Sequence, residues 1–200
     1  MNKLKSFVLL CIIAAVAFGM YKFIKSSSTP AENNNFSAAN TAASSIMISE
    51  EEAKKLSDMF PLHLYFLNEN GDLLKQEIRY ITKEEFEKGT ENNAKIVLDE
   101  LIKGPSPDAG LKPSIDNKTK INAMTLEDKK IEIDFDENFL NGDVKMAAMS
   151  VVNSLCDIDG IDEVYIKING DSENQKLKDT GLDKKLSKDM NFVEKDENIM

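Results

Sequence analysis

Cysteine, histidine and tryptophan are scarce in this 200-residue sequence, and the scarcity excludes several kinds of site. The two cysteines are Cys11, inside an N-terminal apolar run, and Cys156, near the end of a predicted helix. A thiol embedded in a membrane cannot pair with one in a folded domain outside it. Neither a disulfide framework nor a cysteine metal site is therefore available. His63 is the single histidine, so no second histidine can share a metal with it.

Clustered positive charge is also missing outside the first 25 residues. The formal net charge is −10, and residues 1–25 contain four lysines and no acidic residue. The rest of the chain therefore has 21 basic and 35 acidic residues, a net charge of −14. Phosphate binding requires clustered lysine and arginine, and anionic lipid headgroups repel an acidic body. We predict that the chain has no nucleic-acid partner.

Motifs for catalysis are absent as well. The sequence contains no nucleophile elbow, phosphate-binding loop or dinucleotide fingerprint. Ser106 has no evident base, and a dyad of Ser106 with His63 lacks any triad-like context. The acidic stretch DIDGIDE (157–163) departs from the calcium-loop pattern because Gly160 is fourth rather than sixth, and it is interpreted as a helix C-terminus with a glycine turn. We predict no catalytic, cofactor-binding or metal-binding residues, and a protein that is not an enzyme.

The N-terminal apolar run predicts export. It extends from Phe7 to Tyr21, and it reaches Ile24 at 18 residues if Lys22 extends its charge to the interface. A spanning helix needs at least about 17 residues. Cleavage after a signal peptide is the alternative, because Ala15-Val16-Ala17 has the small-x-small form. We expect residues 1–25 to remain as a single-pass transmembrane anchor in the cell membrane, with the C-terminal domain outside the cytoplasm.

Composition divides the remaining chain. Residues 26–48 are mostly serine, asparagine, alanine and threonine, which predicts a flexible linker. The capping box Ser49–Glu52, with Ala53, Leu56 and Met59 at helical spacing, predicts a lead-in helix over residues 49–60. We assign residues 61–193 to one folded domain and residues 194–200 to a tail.

Hydrophobic periodicity predicts five strands and two long helices in that domain. The first helix begins near Thr90 and ends at Gly104-Pro105, where Gly104 is expected to supply a left-handed residue. The second helix has apolar positions from Val144 to Leu155. Alternating apolar residues predict strands over residues 61–68, 73–81, 118–128, 130–136 and 163–170, with His63 on the face opposite Leu62 and Leu64. The order ββαββαβ predicts an α+β fold with a single mixed or antiparallel sheet and two helices on one face.

Several of these segments also carry a family pattern. They are Leu64-Tyr65-Phe66, Arg79-Tyr80-Ile81, the helix end Leu101–Pro105, Ile133-Asp134-Phe135 and the final Val164–Gly170. Together they resemble the GerMN family of sporulation and spore germination domains over roughly residues 60–193. The chain departs from the family's Pro-x-Gly-Thr at "DNKT" (116–119), which lacks both proline and glycine.

The resemblance implies a membrane-tethered, non-catalytic domain that acts in sporulation or the cell envelope. We expect a scaffold or assembly protein that contacts other envelope or sporulation membrane proteins, and another copy of the chain is a further candidate partner. The alternative is a binder of cell-wall glycan or a regulator of a wall enzyme, which the absence of tryptophan and the presence of only four tyrosines disfavour. In a non-catalytic domain of this kind, the prolines after Gly104 are expected to have a structural role, in which they stiffen the connection from the first long helix to the next strand.

Overall fold

The computed structural model describes residues 58–195. The predicted anchor (1–25), the linker (26–48), residues 49–57 of the lead-in helix and residues 196–200 of the tail lie outside this range. Within the described part of the chain, no helix is long and apolar enough to cross a membrane. Met59 and Phe60, at the end of the predicted lead-in helix, begin the first strand instead.

The elements follow the predicted order, with short additions. The strands are β1 (Met59–Leu67), β2 (Leu74–Thr82), β3 (Ile121–Glu127), β4 (Lys130–Phe135) and β5 (Glu163–Ile168). The helices are α1 (Lys83–Phe86), α2 (Thr90–Lys103), α3 (Val144–Leu155) and α4 (Gln175–Thr180), with 3₁₀ turns at Glu137–Leu140 and Met190–Phe192.

Strands β1 and β2 form an antiparallel hairpin in which Leu67 lies opposite Leu74 and Met59 opposite Thr82. The side chain of Asn68 closes the turn, because its Oδ1 accepts hydrogen bonds from the backbone N–H groups of Gly71 (2.8 Å) and Asp72 (3.2 Å). An asparagine that bonds its own turn in this way fixes the hairpin locally.

Strands β3, β4 and β5 form a second sheet in that order. Strand β3 pairs antiparallel with β4, and β4 pairs parallel with β5. Asp128 and Lys129 join β3 to β4 with φ of 47° and 66°, as a two-residue hairpin turn with two left-handed residues requires. The parallel pair needs a crossover, and helix α3 lies within it.

The predicted single sheet is therefore wrong, because the five strands divide into sheets of two and three. The division into two sheets is explained by the hydrogen bonds at the edge of β1 that does not pair with β2. Tyr65 donates its N–H to Ser154 Oγ at 3.0 Å, and its carbonyl accepts a hydrogen bond from Ser150 Oγ. Further along, Leu67 exchanges backbone hydrogen bonds with Lys112 at 3.1 and 2.9 Å. Serine side chains of α3 and one loop residue thus occupy the edge where a further strand would pair.

The two long helices also differ from the prediction of two amphipathic helices on one face. Helix α2 is one-sided, with an apolar stripe that includes Val97, Leu98 and Leu101 buried in the core. Helix α3 contacts both β1 and β5, and eleven of its twelve residues are buried. Its polar residues Ser150, Asn153 and Ser154 are buried as well, because their hydrogen bonds satisfy backbone groups of neighbouring segments.

The loop after α2 has a structural role, because it packs against the hairpin and the core. Gly104 ends the helix with φ 92° and ψ 176°, a conformation essentially restricted to glycine and different from the expected left-handed one. Beyond it, Lys112 pairs with β1, Ser114 Oγ lies 2.7 Å from Ser150 Oγ, and Ile115 is buried. The loop therefore follows the edge of the hairpin and reaches the core.

Candidate functional site

The inward face of the hairpin carries a network of charged side chains that joins β2 to the end of α2. Arg79 donates from Nε to Glu77 Oε1 (2.8 Å) and from Nη2 to the carbonyl of Gly104 (2.6 Å), and it also pairs with Glu100. Glu77 in turn accepts hydrogen bonds from the backbone N–H (3.1 Å) and the hydroxyl (2.8 Å) of Ser106. The Arg-Tyr-Ile and Gly-Pro segments noted in the sequence therefore contact each other.

This network predicts acid sensitivity. Burial alone would raise the pKa of Glu77, but the hydrogen bonds from Ser106 and the pairing with Arg79 lower it below its ordinary value of 4.5. The stabilisation is therefore present above about pH 4.5 and is lost as the pH falls through the lowered pKa.

We expect Glu77→Gln to reduce the free energy of unfolding by about 1–3 kcal/mol at neutral pH, since hydrogen bonds to a charged group are lost. Urea unfolding at several pH values tests this, with the exposed Glu127→Gln as the control. The difference between wild type and Glu77→Gln should shrink as the pH falls below 4.5. A difference that stays constant down to pH 3 would contradict the role of the Glu77 charge.

A second polar cluster surrounds Asp157, just beyond the end of α3. Its Oδ2 accepts a hydrogen bond from the hydroxyl of Tyr65 (3.0 Å) and lies 3.3 Å from His63 Nδ1, while Oδ1 pairs with Lys188. Burial and the nearby carboxylate raise the pKa of Tyr65. Burial alone would lower the pKa of Lys188, but its hydrogen bond to Asp157 raises it.

His63, Asp157 and Ser154 also line one cavity of about 410 Å³, together with apolar residues such as Phe60, Phe86 and Ile158. The three side chains have the residue types of a nucleophilic triad, but the hydrogen bonds of Ser154 oppose that role. Its hydroxyl donates to the carbonyl of Ser150 at 2.7 Å and accepts from the N–H of Tyr65. A nucleophilic serine must instead donate to the histidine. Ser154 holds the hairpin against α3.

The other candidates from the sequence have structural partners. Ser106 bonds to Glu77 and not to His63. His63 is partly exposed on β1, and its partner Asp157 could not be identified from the sequence. Gly160 has φ 100° and forms a turn, but α3 already ends at Leu155. Cys156 is half-buried, and burial raises the pKa of its thiol.

The acidic stretch 157–163 is held by positive side chains. Asp162 pairs with Lys129 at 3.0 Å and Glu163 with Lys185 at 2.7 Å. Among residues 58–195, no three histidine, cysteine, aspartate or glutamate side chains gather as a metal site would require.

The outer edge of β2 presents the exposed apolar residues of the hairpin. Ile78 is 47% exposed and Tyr80 is 60% exposed, and they alternate with Glu77 and Arg79, which face α2. At the start of β2, Leu74 pairs with Val193, and between Gln76 and Tyr80 no described residue outside the hairpin forms a hydrogen bond with the backbone of β2. We call Gln76–Tyr80 the open edge. Sequence reasoning missed it, because alternation alone did not show which residues of β2 face the core.

Comparisons with known proteins agree with the fold. A family model described as "Germane: Sporulation and spore germination" matches residues 63–174. The solved structure of the tandem GerMN domains of the sporulation protein GerM from Bacillus subtilis is 23% identical with a TM-score of 0.55. That similarity covers 70% of this chain and 49% of that one. This chain thus spans about half the length of the tandem-domain structure.

Two further solved structures are less similar in shape. The first GerMN domain of the same protein is 22% identical with a TM-score of 0.47, and the match covers 56% of this chain and 84% of that one. A putative lipoprotein from Clostridium perfringens is 19% identical with a TM-score of 0.37, over 58% of this chain and 79% of that one. The comparison with curated proteins finds no match.

Proposed function

The chain belongs to the family of sporulation and spore germination domains, and from this membership we propose that it is a membrane-anchored, extracytoplasmic scaffold that acts through protein–protein contacts. Its partners are other envelope or sporulation membrane proteins, and they bind the folded domain outside the cytoplasm. The domain performs no catalysis in this role.

The open edge is the observation that supports a binding role most strongly. An unpaired strand edge is a template for pairing with another chain, and folded proteins usually protect such edges with charge, proline or a covering segment. Here the side chains that point away from the core at this edge include Ile78 and Tyr80, which are large and apolar. Apolar residues exposed on an acidic body indicate a surface that a partner covers.

The polar clusters fit a structural role in the same domain. Arg79, Glu77 and Ser106 connect the hairpin to α2, and Asp157 connects β1 to the C-terminal segment through Lys188. Each of these groups has a bonding partner within the domain. These bonds hold the hairpin, which carries the open edge, against the rest of the domain.

Anchoring follows from the sequence of residues 1–25. The apolar run is just long enough to span a bilayer, and the linker 26–48, in which Glu32 is the single charged residue, would separate the domain from the membrane surface. Net negative charge on the domain would add repulsion from anionic headgroups. The folded domain would thus bind its partners at a distance from the membrane surface.

Affinity purification from membranes of sporulating cells tests this proposal. We expect the tagged full chain to retain envelope proteins, Tyr80→Glu to lose most of them, and Thr125→Glu, an exposed change on β3, to retain them. Equal recovery with Tyr80→Glu would contradict the role of the open edge.

The intact mass of the purified chain should match an uncleaved N-terminus, and a chain that begins at Phe18 would contradict the anchor.

A further inference from the structure

We propose that the open edge binds the same edge of a second copy of this chain, so that two hairpins join into one four-stranded antiparallel sheet about a two-fold axis at Ile78. This inference rests on the proposed function, since it names one partner of the scaffold. The backbone, the charges and the apolar side chains of Gln76–Tyr80 each support it.

The backbone of the open edge has the geometry that this pairing requires. Leu74 and its opposite residue Leu67 both bond away from the hairpin, Leu74 to Glu194 at 2.7 Å and Leu67 to Lys112. In an antiparallel ladder the direction of the backbone groups alternates along each strand. Gln76, Ile78 and Tyr80 therefore also point their N–H and C=O groups outward.

Tyr65 supports the same assignment from the opposite strand. It pairs in register with Gln76, and its own N–H and C=O bond outward to the serines of α3. The two edges of the hairpin thus have matching patterns of outward-facing groups. The edge of β1 bonds to α3 and to Lys112, whereas no described segment hydrogen-bonds to the backbone of β2 from Gln76 to Tyr80.

Charge selects one register for the pairing. With Ile78 opposite Ile78, Gln76 lies opposite Tyr80, and Glu77 of one copy lies opposite Arg79 of the other. The neighbouring registers that keep the same hydrogen-bond pattern would place Glu77 opposite Glu77 or Arg79 opposite Arg79. Like charges directly opposite each other destabilise a strand pair, whereas opposite charges stabilise it.

Strand β3, an edge strand of the second sheet, fits a second copy less well. Its ladder with β4 is irregular between Ile121 and Ala123, and such irregularities protect an edge from pairing. Its exposed side chains, including Asn122, Ala123 and Thr125, are polar or small. Apolar side chains that gain from burial lie on β2, where Ile78 would pack against its symmetry mate.

A charge exchange at Ile78 tests the proposal. Since Ile78 meets itself at the axis, Ile78→Lys alone and Ile78→Glu alone each place like charges in contact, while a mixture of the two variants pairs lysine with glutamate. We expect the full chain in detergent to sediment as a dimer. Each single variant should weaken dimerisation by about tenfold or more, and an equimolar mixture should recover it.

Thr125→Lys and Thr125→Glu, the matched pair on the exposed strand β3, should leave the dimer unchanged. Recovery in the Ile78 mixture also shows that both variants are folded, because unfolded chains could not pair specifically. A monomeric wild type, dimers insensitive to the single variants, or a mixture that fails to recover would each overturn self-pairing.

The two proposals can fail separately. A monomeric wild type that still retains envelope proteins in a Tyr80-dependent manner would overturn self-pairing and leave the scaffold proposal standing. A dimer that follows the charge pattern but retains no envelope protein would support self-pairing and contradict the scaffold proposal.

Discussion

Leu98→Ala is expected to lower the free energy of unfolding by about 2–5 kcal/mol, one of the two largest effects predicted for this protein. Leu98 is fully buried on α2, which packs against both α3 and β1. Removing its side chain takes apolar contacts from the hydrophobic core, and the close-packed surroundings relax only partly into the cavity.

Urea unfolding followed by circular dichroism measures this effect. Met190→Ala is the matched control, because it also truncates a long apolar side chain but at an exposed position outside the open edge, and it should change stability by less than about 0.5 kcal/mol. Val151→Ala, fully buried on α3, should lie between the two because fewer atoms are removed. A Leu98→Ala change near zero would mean that α2 does not pack as described.

Local features of the fold were predictable because local chemistry determines them. Helix α2 ends at Gly104, where the sequence predicts its end, and the second long helix covers Val144–Leu155, the segment in which it was predicted. The turns at residues 70–72 and 128–129 likewise contain asparagine, glycine or aspartate, the types that tight turns favour. In each case neighbouring residues in the sequence carry the caps, turns or periodicity that the element requires.

The division into two sheets was not predictable for a physical reason. Ser150 and Ser154 are polar residues among the apolar positions of the second helix, and they are buried because they satisfy the edge of β1. Their partner, Tyr65, lies more than 80 residues away in the sequence. Hydrophobic periodicity cannot distinguish a polar side chain that is exposed to water from one that hydrogen-bonds to a backbone group far away in the sequence.

The candidate sites show the same limit. His63 could be placed on the outward face of β1, but its neighbour Asp157 is 94 positions away. The motif residues Arg79 and Gly104 were recognised separately, and the hydrogen bond between them appears only in three dimensions. The exposure of Ile78 and Tyr80 depends on which strand covers which edge, which a single sequence does not encode locally.

The second large effect concerns cellular function. We expect Ile78→Lys to abolish complementation of a deletion strain, because a charge at the centre of the open edge blocks strand pairing while Ile78 itself contributes little to the core. His63→Ala and Ser106→Ala should complement fully. His63 is exposed enough to lose its contact with Asp157 at little cost, and Ser106→Ala removes one side-chain hydrogen bond to Glu77 while the backbone N–H of residue 106 still donates to it.

Whether the open edge or a catalytic group carries the function can be measured by the spore yield of the deletion strain complemented with each variant, or by whatever envelope phenotype the deletion shows. The domain is proposed to act through its open edge and not through a catalytic group. The three variants should be compared at equal membrane abundance, verified by immunoblot. We expect wild-type yield with His63→Ala and Ser106→Ala, and the yield of the deletion strain with Ile78→Lys. Loss of function with His63→Ala in a chain that remains folded and retains its complexes, together with full function of Ile78→Lys, would contradict the account.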